Sequence, residues 1–184
     1  MPFIILDRDG VINYDSDEYI KSPEEWLPIP GSLDAIAQLN RAGFNVLVAT
    51  NQSGVARGLY DLDTLDRIHE KLMHELASRG GYIDEIFFCP HHPDDACFCR
   101  KPQPGLIHQI EKKYPIDLAN TFFIGDSWVD MEAARLAGCK PLLVRTGKGE
   151  LALEKYPTLA SIHHFPDLAG AVEYVVSMQR KNHG

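Results

Sequence analysis

The chain has 184 residues, with 26 acidic and 18 basic side chains and a formal net charge of −8. This acidic balance argues against a nucleic-acid-binding protein, because such proteins usually present a basic surface. Every apolar run is shorter than the ~18 residues that a membrane span requires, and the first residues lack the pattern of a signal peptide. We therefore expect a monomeric cytoplasmic protein with a single domain over 1–184 and no nucleic-acid or membrane partner.

The first predicted strand carries two carboxylates at its end. Residues 3–6 are apolar, which is typical of a buried parallel strand. In an extended chain, Asp7 and Asp9 would point to the same side, with Arg8 facing away. Two like charges this close are costly to ionise unless a cation lies between them. The pair therefore suggests a metal site, although polar residues also end strands simply because the following loop meets water.

Strands and helices alternate along the rest of the chain. Apolar residues at helical spacing and an N-cap at Ser32 predict a helix over 31–43 that ends at Gly43. Further on, β-branched and aromatic runs predict strands, and periodic Leu and Ile residues predict helices. These elements are, in chain order, a strand at 44–50, a helix at 62–81, a strand at 82–89, a helix at 103–114, a strand at 121–126, a helix at 127–138, a strand at 140–147, a weaker strand at 162–165 and a helix that begins near Leu168.

This alternation predicts an α/β fold, a three-layer Rossmann-like parallel sheet with helices on both faces. Ligands of such sheets bind beyond the carboxyl ends of the strands. Four polar residues end four separate predicted strands and would meet at that edge, namely Asp7, Thr50, Cys89 and Asp126. The connections are too short for a large cap domain, so we expect loops alone to cover the site.

A cluster of thiols predicts a second metal site. The segment CPHHPDDACFC contains the pairs Cys89/His91 and Cys97/Cys99, each with one intervening residue. Three thiolates and one imidazole form a closed tetrahedral shell for Zn²⁺, which is typical of a structural site. His92 is an alternative fourth ligand, and three buried thiols that never meet are the alternative to zinc binding. A zinc-bound loop would hold the residues that follow it rigidly.

Four short motifs resemble those of the haloacid dehalogenase (HAD) superfamily of phosphatases. They are DRDG at 7–10, TNQSG at 50–54, RKP at 100–102 and GDSWVD at 125–130. The resemblance implies a phosphomonoester hydrolase with a HAD-like fold, in which Asp7 attacks phosphorus and forms an aspartyl-phosphate. Asp9 would protonate the leaving alkoxide and then take a proton from the attacking water. A catalytic Mg²⁺ is also implied, held by Asp7, the backbone carbonyl of Asp9 and Asp126.

Three further residues have expected roles in the same site. Thr50 and Lys101 would hold the phosphoryl oxygens, the first through its hydroxyl and the second through its charge. Asp130, one helical turn after Asp126, would orient the metal ligands. Each has an ordinary structural alternative: Thr50 as a turn cap, Lys101 as a surface charge and Asp130 as a partner of its helix N-terminus.

The cysteine loop running into CRKP, together with LDRDGVIN and TNQSGVARG, resembles a narrower group of this superfamily. That capless group contains D-glycero-D-manno-heptose-1,7-bisphosphate 7-phosphatases and histidinol phosphatases. It implies a small phosphorylated sugar as substrate, in heptose metabolism toward lipopolysaccharide, with histidinol phosphate as the alternative. The short cysteine loop also occurs on the histidinol side, whereas the lack of a fused dehydratase domain favours the heptose substrate. The residues expected to meet the substrate are Asp15, Ser16, Asp17, Glu18, Tyr19, Thr50, Asn51, Gln52, Ser53, Arg100 and Lys101.

Two other classes of protein share some of these features but would differ from a phosphatase in phosphate release. A receiver module also places aspartates, a Thr and a Lys on a parallel α/β sheet, but its phospho-acceptor lies on a middle strand. Such a module needs no acid to expel an alcohol, and it would stop near one equivalent of phosphate. A zinc-stabilised binding protein would contain zinc but would release no phosphate in the presence of Mg²⁺.

Overall fold

The apolar runs of the sequence form one sheet of six parallel strands within residues 1–182, the part of the chain that this computed structural model describes. The strands lie in the order β3-β2-β1-β4-β5-β6. Their bounds are β1 Phe3–Leu6, β2 Asn45–Asn51, β3 Glu85–Cys89, β4 Phe122–Gly125, β5 Lys140–Val144 and β6 His164–Phe165. Every strand predicted from the sequence is therefore present, with ends that differ by a few residues.

A helix connects each strand to the next, another helix follows β6, and together these helices cover both faces of the sheet. Their bounds are α1 Ser32–Arg41, α2 Leu62–Ser78, α3 Gly105–Lys113, α4 Trp128–Ala137, α5 Gly149–Lys155 and α6 Leu168–Asn182. Apolar residues of α1, α2 and α6 pack on one face, in the same core as Ile4 and Leu6. Those of α3, α4 and α5 pack on the other face with Phe3 and Ile5. Because alternate residues of β1 enter different cores, the predicted three-layer architecture is confirmed.

Two local expectations were wrong. Ser32 is the first residue of α1 rather than its N-cap, because Gly31 occupies the cap position in a left-handed conformation with φ of 87°. The Ser32 hydroxyl instead donates to the carbonyl of Val11 at 2.8 Å. Helix α5 was also unexpected, because the sequence pattern predicts no helix between β5 and β6.

The topology brings the predicted site residues to one edge of the sheet. Strand β1 pairs with β2 on one side and with β4 on the other, so the chain continues in opposite directions from the middle of the sheet. Ligands of open parallel sheets bind at such a switch point, beyond the carboxyl ends of the strands. Within residues 1–182 the connections contain loops and short helices but no large cap domain, and no helix there has the length and apolarity needed to cross a bilayer.

Candidate active site

Asp7 and Lys101 form an ion pair at the centre of this edge. Asp7 follows β1 directly, and its backbone N–H donates to the Ile124 carbonyl of β4 at 2.9 Å. The Nζ of Lys101 lies 3.0 Å from Oδ1 of Asp7 and donates to the Ala49 carbonyl at 2.8 Å. Lys101 is 2% exposed, so its charge is fixed in the site and is not a solvated surface charge.

Asp7 belongs to a cluster of three buried carboxylates. Oxygen atoms of Asp7, Asp126 and Asp130 all lie within 4.8 Å of one another. Burial and the negative charge of Asp130 raise the pKa of Asp7 to about 8, although Lys101 opposes the shift. The same causes, with the charge of Asp7 added, raise the pKa of Asp126 well above its usual range. Such carboxylates favour a cation among them, because only a further positive charge lets all of them ionise together.

Asp130 makes contacts that differ from those of the other two carboxylates. Its Oδ1 accepts from Nζ of Lys101 at 2.6 Å, and its Oδ2 accepts from the Asp126 N–H at 3.1 Å and from the Ser127 hydroxyl at 2.9 Å. Burial alone would raise the pKa of Asp130, but Lys101 outweighs it and lowers that pKa. Both of its oxygens are thus engaged within the protein, which suits a residue that orients Lys101 and Asp126.

Asp9 lies in a different environment from the one expected of an extended strand. Strand β1 ends at Leu6, and the chain turns at Gly10, which has φ of 81°. Arg8 therefore does not face away from the carboxylates, because its Nε donates to Oδ1 of Asp9 at 2.9 Å. Burial would raise the pKa of Asp9, but the Arg8 guanidinium and hydrogen bonds from Asn13 and Gln52 lower it. The two aspartates thus have pKa values displaced in opposite directions.

The end of β2 supplies polar groups from the opposite side. Thr50 is buried, and its Oγ1 accepts from Nε2 of Gln52 at 3.0 Å. The same amide donates to Oδ2 of Asp9 at 3.0 Å. Asn51 reaches across to the Lys101 backbone, donating from Nδ2 to its carbonyl at 3.0 Å. This turn therefore contacts Asp9 through Gln52 and Lys101 through Asn51.

The predicted thiol cluster is formed beside this site. Sγ of Cys99 lies 3.0 Å from Sγ of Cys89 and 3.7 Å from Sγ of Cys97, and Nδ1 of His91 lies 3.1 Å from Sγ of Cys99. In a tetrahedral zinc site with Zn–S bonds of ~2.3 Å, ligand atoms are about 3.8 Å apart. The donor types and separations therefore fit one zinc ion with little rearrangement. Burial would raise the pKa of Cys97, but hydrogen bonds from the Arg100 N–H and the neighbouring thiols lower it to about 7.

The structure distinguishes the two neighbouring histidines. His92 uses its Nδ1 to accept from the Asp94 N–H at 3.1 Å and caps the short 3-10 helix Pro93–Asp95. His91 instead points its Nδ1 to the sulfur of Cys89 at 3.4 Å. His91, rather than the alternative His92, thus completes the thiol cluster.

A cavity of about 540 Å³ opens above the carboxylates. Most of the residues expected to meet the substrate line it, namely Asp15, Ser16, Asp17, Tyr19, Thr50, Asn51, Gln52, Ser53, Arg100 and Lys101. Glu18 does not line the cavity and is exposed. The chain turns between Ser16 and Tyr19, with a backbone hydrogen bond of 3.1 Å and a positive φ of 67° at Tyr19. This turn directs Tyr19 to the cavity and leaves Glu18 outside.

Sequence reasoning missed the contribution of the loop after β5. The Lys148 N–H donates to Oδ2 of Asp126 at 2.9 Å, and its Nζ lies 3.6 Å from Asp15. Side chains at Gly10 and Gly147 would collide with Asp126, so both glycines are needed for the close approach of the two loops. The segment RTGKGE, with two glycines around the end of a predicted strand, was the available signal. Other cavity residues that were missed include Arg57, Trp128, Lys155 and Tyr156.

Known proteins share this sequence and architecture. A family model described as HAD-hydrolase-like matches residues 98–171. A D-glycero-beta-D-manno-heptose-1,7-bisphosphate 7-phosphatase from Pseudomonas putida is 54% identical over 96% of this chain and 100% of its own length. The enzyme of that name from Bordetella bronchiseptica is 51% identical, over 96% of this chain and 98% of its own.

Solved structures agree with these sequence relatives. The D,D-heptose 1,7-bisphosphate phosphatase of B. bronchiseptica, complexed with magnesium and phosphate, superposes with a TM-score of 0.94 at 50% identity, covering 97% of this chain and 99% of that chain. The corresponding phosphatase of Burkholderia thailandensis gives a TM-score of 0.77 at 39% identity, covering 96% and 99%. The chain therefore belongs to the D-glycero-beta-D-manno-heptose-1,7-bisphosphate 7-phosphatase family of HAD-like hydrolases.

Proposed function

We propose that this phosphatase removes the 7-phosphate of D-glycero-beta-D-manno-heptose 1,7-bisphosphate through an aspartyl-phosphate on Asp7. The observation that carries the proposal is the pairing of Asp7 with Lys101 at 3.0 Å inside the carboxylate cluster. This arrangement places a nucleophile and a phosphate-binding cation at one point of the cavity. The names of the P. putida and B. bronchiseptica relatives support the substrate and its beta anomer.

The carboxylate cluster fits a divalent metal. Oxygen donors are the ligands that Mg²⁺ prefers, and burial raises the pKa of Asp7 and of Asp126 in the absence of a cation. Asp7, Asp126 and the backbone carbonyl of Asp9 would hold the ion, and Asp130 would orient the ligands. Bound Mg²⁺ neutralises charge on the transferring phosphoryl group. The magnesium in the B. bronchiseptica structure supports the choice of metal.

Asp7 is the nucleophile of the proposed reaction. Its Oδ1 accepts from the Arg8 N–H at 2.8 Å, and its backbone is fixed to β4, so the carboxylate is held in place before the substrate binds. Attack on phosphorus breaks the bond to O7 of the sugar and forms the aspartyl-phosphate. Splitting one displacement into two steps lowers the barrier of each. Water then attacks phosphorus and regenerates Asp7.

Asp9 is the general acid and base. The hydrogen bonds from Arg8, Asn13 and Gln52 set the direction of its carboxylate, while its side chain remains 22% exposed toward the cavity. Burial is outweighed by Arg8, Asn13 and Gln52, which lower the pKa of Asp9, but its protonated form delivers the proton to the departing sugar alkoxide. The resulting carboxylate then takes a proton from the water that hydrolyses the aspartyl-phosphate. General acid catalysis of this kind contributes about 10² to 10⁴-fold.

Lys101 and Thr50 hold the transferred phosphoryl group. Burial disfavours a charged lysine, yet Asp130 and Asp7 outweigh it and raise the pKa of Lys101, so the ammonium charge persists. The Thr50 hydroxyl, on the other side of the cavity floor, is oriented by Gln52. Charge and hydroxyl together position the phosphorus for attack in line with Asp7.

Arg100 binds the second phosphate of the substrate. Its Nη1 is buried and lacks a hydrogen-bond partner among the described residues, and Arg100 lines the cavity next to Lys101. A guanidinium presents two parallel N–H groups to a phosphate. The anomeric phosphate would satisfy this group, whereas histidinol phosphate has no second phosphate. This contact distinguishes the proposed substrate from the alternative one.

Zinc has a structural role in this proposal. Cys89, His91, Cys97 and Cys99 close the coordination shell, so no position is left for substrate. Arg100 follows the last thiolate directly, and its backbone N–H donates to Sγ of Cys97 at 3.4 Å. The metal would thus fix the loop that carries Arg100 and Lys101.

Comparing substrates tests the proposal. The kcat/KM of the purified protein with Mg²⁺ is measured for the beta and alpha anomers of the heptose bisphosphate and for histidinol phosphate. We expect the beta anomer to give the highest value. A higher kcat/KM for histidinol phosphate would overturn the proposed substrate. Release of only one equivalent of phosphate would indicate a receiver module, and no release with zinc bound would indicate a binding protein.

A further inference from the structure

Two series of hydrogen-bonded side chains connect the carboxylate of Asp9 to the segment 60–69, which contains the first half of α2. In the first series Arg8 donates to Oδ1 of Asp9, and in the second Gln52 donates to Oδ2. His69, on α2, lies behind Arg8, and Tyr60, just before α2, lies behind Gln52. His69 and Tyr60 are 9% and 7% exposed, and neither belongs to the reacting groups described above.

The first series fixes the guanidinium of Arg8. Arg8 is fully buried, with Nε 2.9 Å and Nη2 2.8 Å from Oδ1 of Asp9. Its Nη1 lies 3.1 Å from Nε2 of His69. Because arginine is only a donor, His69 must be neutral and must accept through Nε2. Burial and the charge of Arg8 lower the pKa of His69 to about 3, which is consistent with a neutral ring.

The second series fixes the amide of Gln52. The Tyr60 hydroxyl donates to Oε1 of Gln52 at 2.6 Å, so the NH₂ end of the amide must face the other way. That end donates to Oδ2 of Asp9 and to Oγ1 of Thr50, both at 3.0 Å. Without the tyrosine hydroxyl, the amide could rotate and present its oxygen to the carboxylate. The Tyr60 ring also fills the space beside Gly54, where a side chain would collide with it.

We propose that His69 and Tyr60 are positioning residues that hold the carboxylate of Asp9 in the orientation for proton transfer, acting through Arg8 and Gln52. The inference rests on the proposed function, in which Asp9 is the general acid. Oδ1 accepts from Arg8 and from Asn13, each at 2.9 Å, whereas Oδ2 accepts from Gln52 alone among the described residues. Oδ2 therefore keeps a lone pair for proton transfer. The His69 arm acts on Oδ1 together with Asn13, and the Tyr60 arm acts on Oδ2, so loss of either arm loosens the carboxylate. Small errors in the position of a catalytic group reduce rates strongly.

Leaving-group dependence separates this role from a purely structural one. Phenolate is more basic than p-nitrophenolate and needs more help from a general acid when it leaves. We therefore compare kcat/KM for phenyl phosphate and p-nitrophenyl phosphate, because this parameter reports only the steps up to formation of the aspartyl-phosphate. The variant Tyr60→Phe removes one hydroxyl and keeps the ring. We expect its kcat/KM to fall about tenfold for phenyl phosphate, within the range of general acid catalysis, and at most about twofold for the nitrophenyl ester.

The histidine arm is tested by a pair of substitutions. His69→Gln retains an acceptor for Arg8, whereas His69→Leu removes it and leaves a buried guanidinium N–H without a partner. We expect His69→Leu to show the same selective loss for phenyl phosphate, and His69→Gln to recover most of it. Equal losses for both esters, or no loss in His69→Leu and Tyr60→Phe, would overturn the positioning role.

Matched controls complete the experiment. His74→Leu changes an exposed histidine of the same helix, and Tyr82→Phe changes an exposed tyrosine, so neither should alter the ratio of the two kcat/KM values. A changed ratio in these controls would overturn the inference. Turnover of the heptose bisphosphate is measured in parallel with wild-type protein. If the wild-type protein does not turn over the heptose bisphosphate, only the proposed substrate is overturned. The two aryl esters still test whether His69 and Tyr60 position Asp9.

Discussion

The side-chain amide of Asn51 bonds both backbone polar groups of Lys101. Its Nδ2 donates to the Lys101 carbonyl at 3.0 Å, and its Oδ1 accepts from the Lys101 N–H at 3.0 Å. Asn51 ends β2, so this pair of hydrogen bonds joins the rigid sheet to the residue that follows the cysteine loop. The position of the Lys101 ammonium group thus depends on the sheet as well as on the thiol cluster.

Replacing Asn51 by Ala should lower kcat without loss of zinc. Both hydrogen bonds to Lys101 disappear, and an error of ~1 Å in its position costs on the order of 10²-fold in rate. We expect a loss of tenfold or more in kcat, measured with Mg²⁺ at saturating substrate, and unchanged zinc by elemental analysis. Asn120→Ala, at an exposed position, is the matched control. A kcat near that of the wild type would show that the cysteine loop alone places the lysine.

Asp7→Asn should remove turnover and stabilise the metal-free protein. The amide cannot act as the nucleophile. It also carries no charge, so the repulsion between residue 7 and the carboxylates of Asp126 and Asp130 disappears. Burial and repulsion by Asp130 are the main causes that raise the pKa of Asp7 in the wild-type protein. Removal of ~1 kcal/mol of repulsion shifts Tm by about 2–4 °C in a chain of this length. We expect a higher Tm than wild type in EDTA and a smaller rise on adding Mg²⁺. A lower Tm in EDTA would show that the carboxylates do not repel one another.

Cys97→Ser should lower zinc content and kcat together. Metal binding supplies much of the energy that orders a short loop with few apolar residues, and the loop continues into Arg100 and Lys101. We expect a folded protein by circular dichroism, with less zinc, lower kcat and no rescue by added Mg²⁺. Cys139→Ser, at a buried thiol outside the cluster, serves as the control for loss of a thiol. A zinc-free Cys97→Ser protein with wild-type kcat would separate the loop from catalysis.

Arg100→Ala should affect a bisphosphate more than a monophosphate. The variant removes the buried Nη1, which has no hydrogen-bond partner within residues 1–182, and with it the proposed contact to the anomeric phosphate. A charged hydrogen bond of this kind contributes ~1.5–3 kcal/mol, so we expect kcat/KM for the heptose bisphosphate to fall about 10 to 100-fold. The loss for p-nitrophenyl phosphate should be much smaller. Equal losses would assign Arg100 to the transferred phosphate or to the fold.

Local patterns were sufficient to predict the sheet and most of the site. Parallel strands present their carboxyl ends at one edge, so polar residues at the ends of apolar runs could be assigned to one place. Asp7, Thr50 and Asp126 follow this rule. The cysteine cluster was predictable for a similar reason, since its four ligands lie within eleven consecutive residues of the sequence, 89–99.

Contacts between residues distant in sequence, and elements with weak local patterns, could not be predicted. Arg8 contacts Asp9 because β1 ends at Leu6 and the chain turns before Gly10. The residue pattern gives no sign of that turn. His69 meets Arg8 across 61 residues of sequence, and on α2 it has the spacing of an ordinary core residue. Helix α5 has seven residues and no side-chain cap at Lys148, so neither length nor capping indicated it.

The proposed reaction is tested by identifying which of the two phosphates is removed. Wild-type protein is incubated with D-glycero-beta-D-manno-heptose 1,7-bisphosphate and Mg²⁺, and the reaction is followed by ³¹P NMR. We expect loss of the 7-phosphate resonance, growth of inorganic phosphate and retention of the anomeric phosphate. Loss of the anomeric phosphate first, or no change in either resonance, would contradict the proposed reaction.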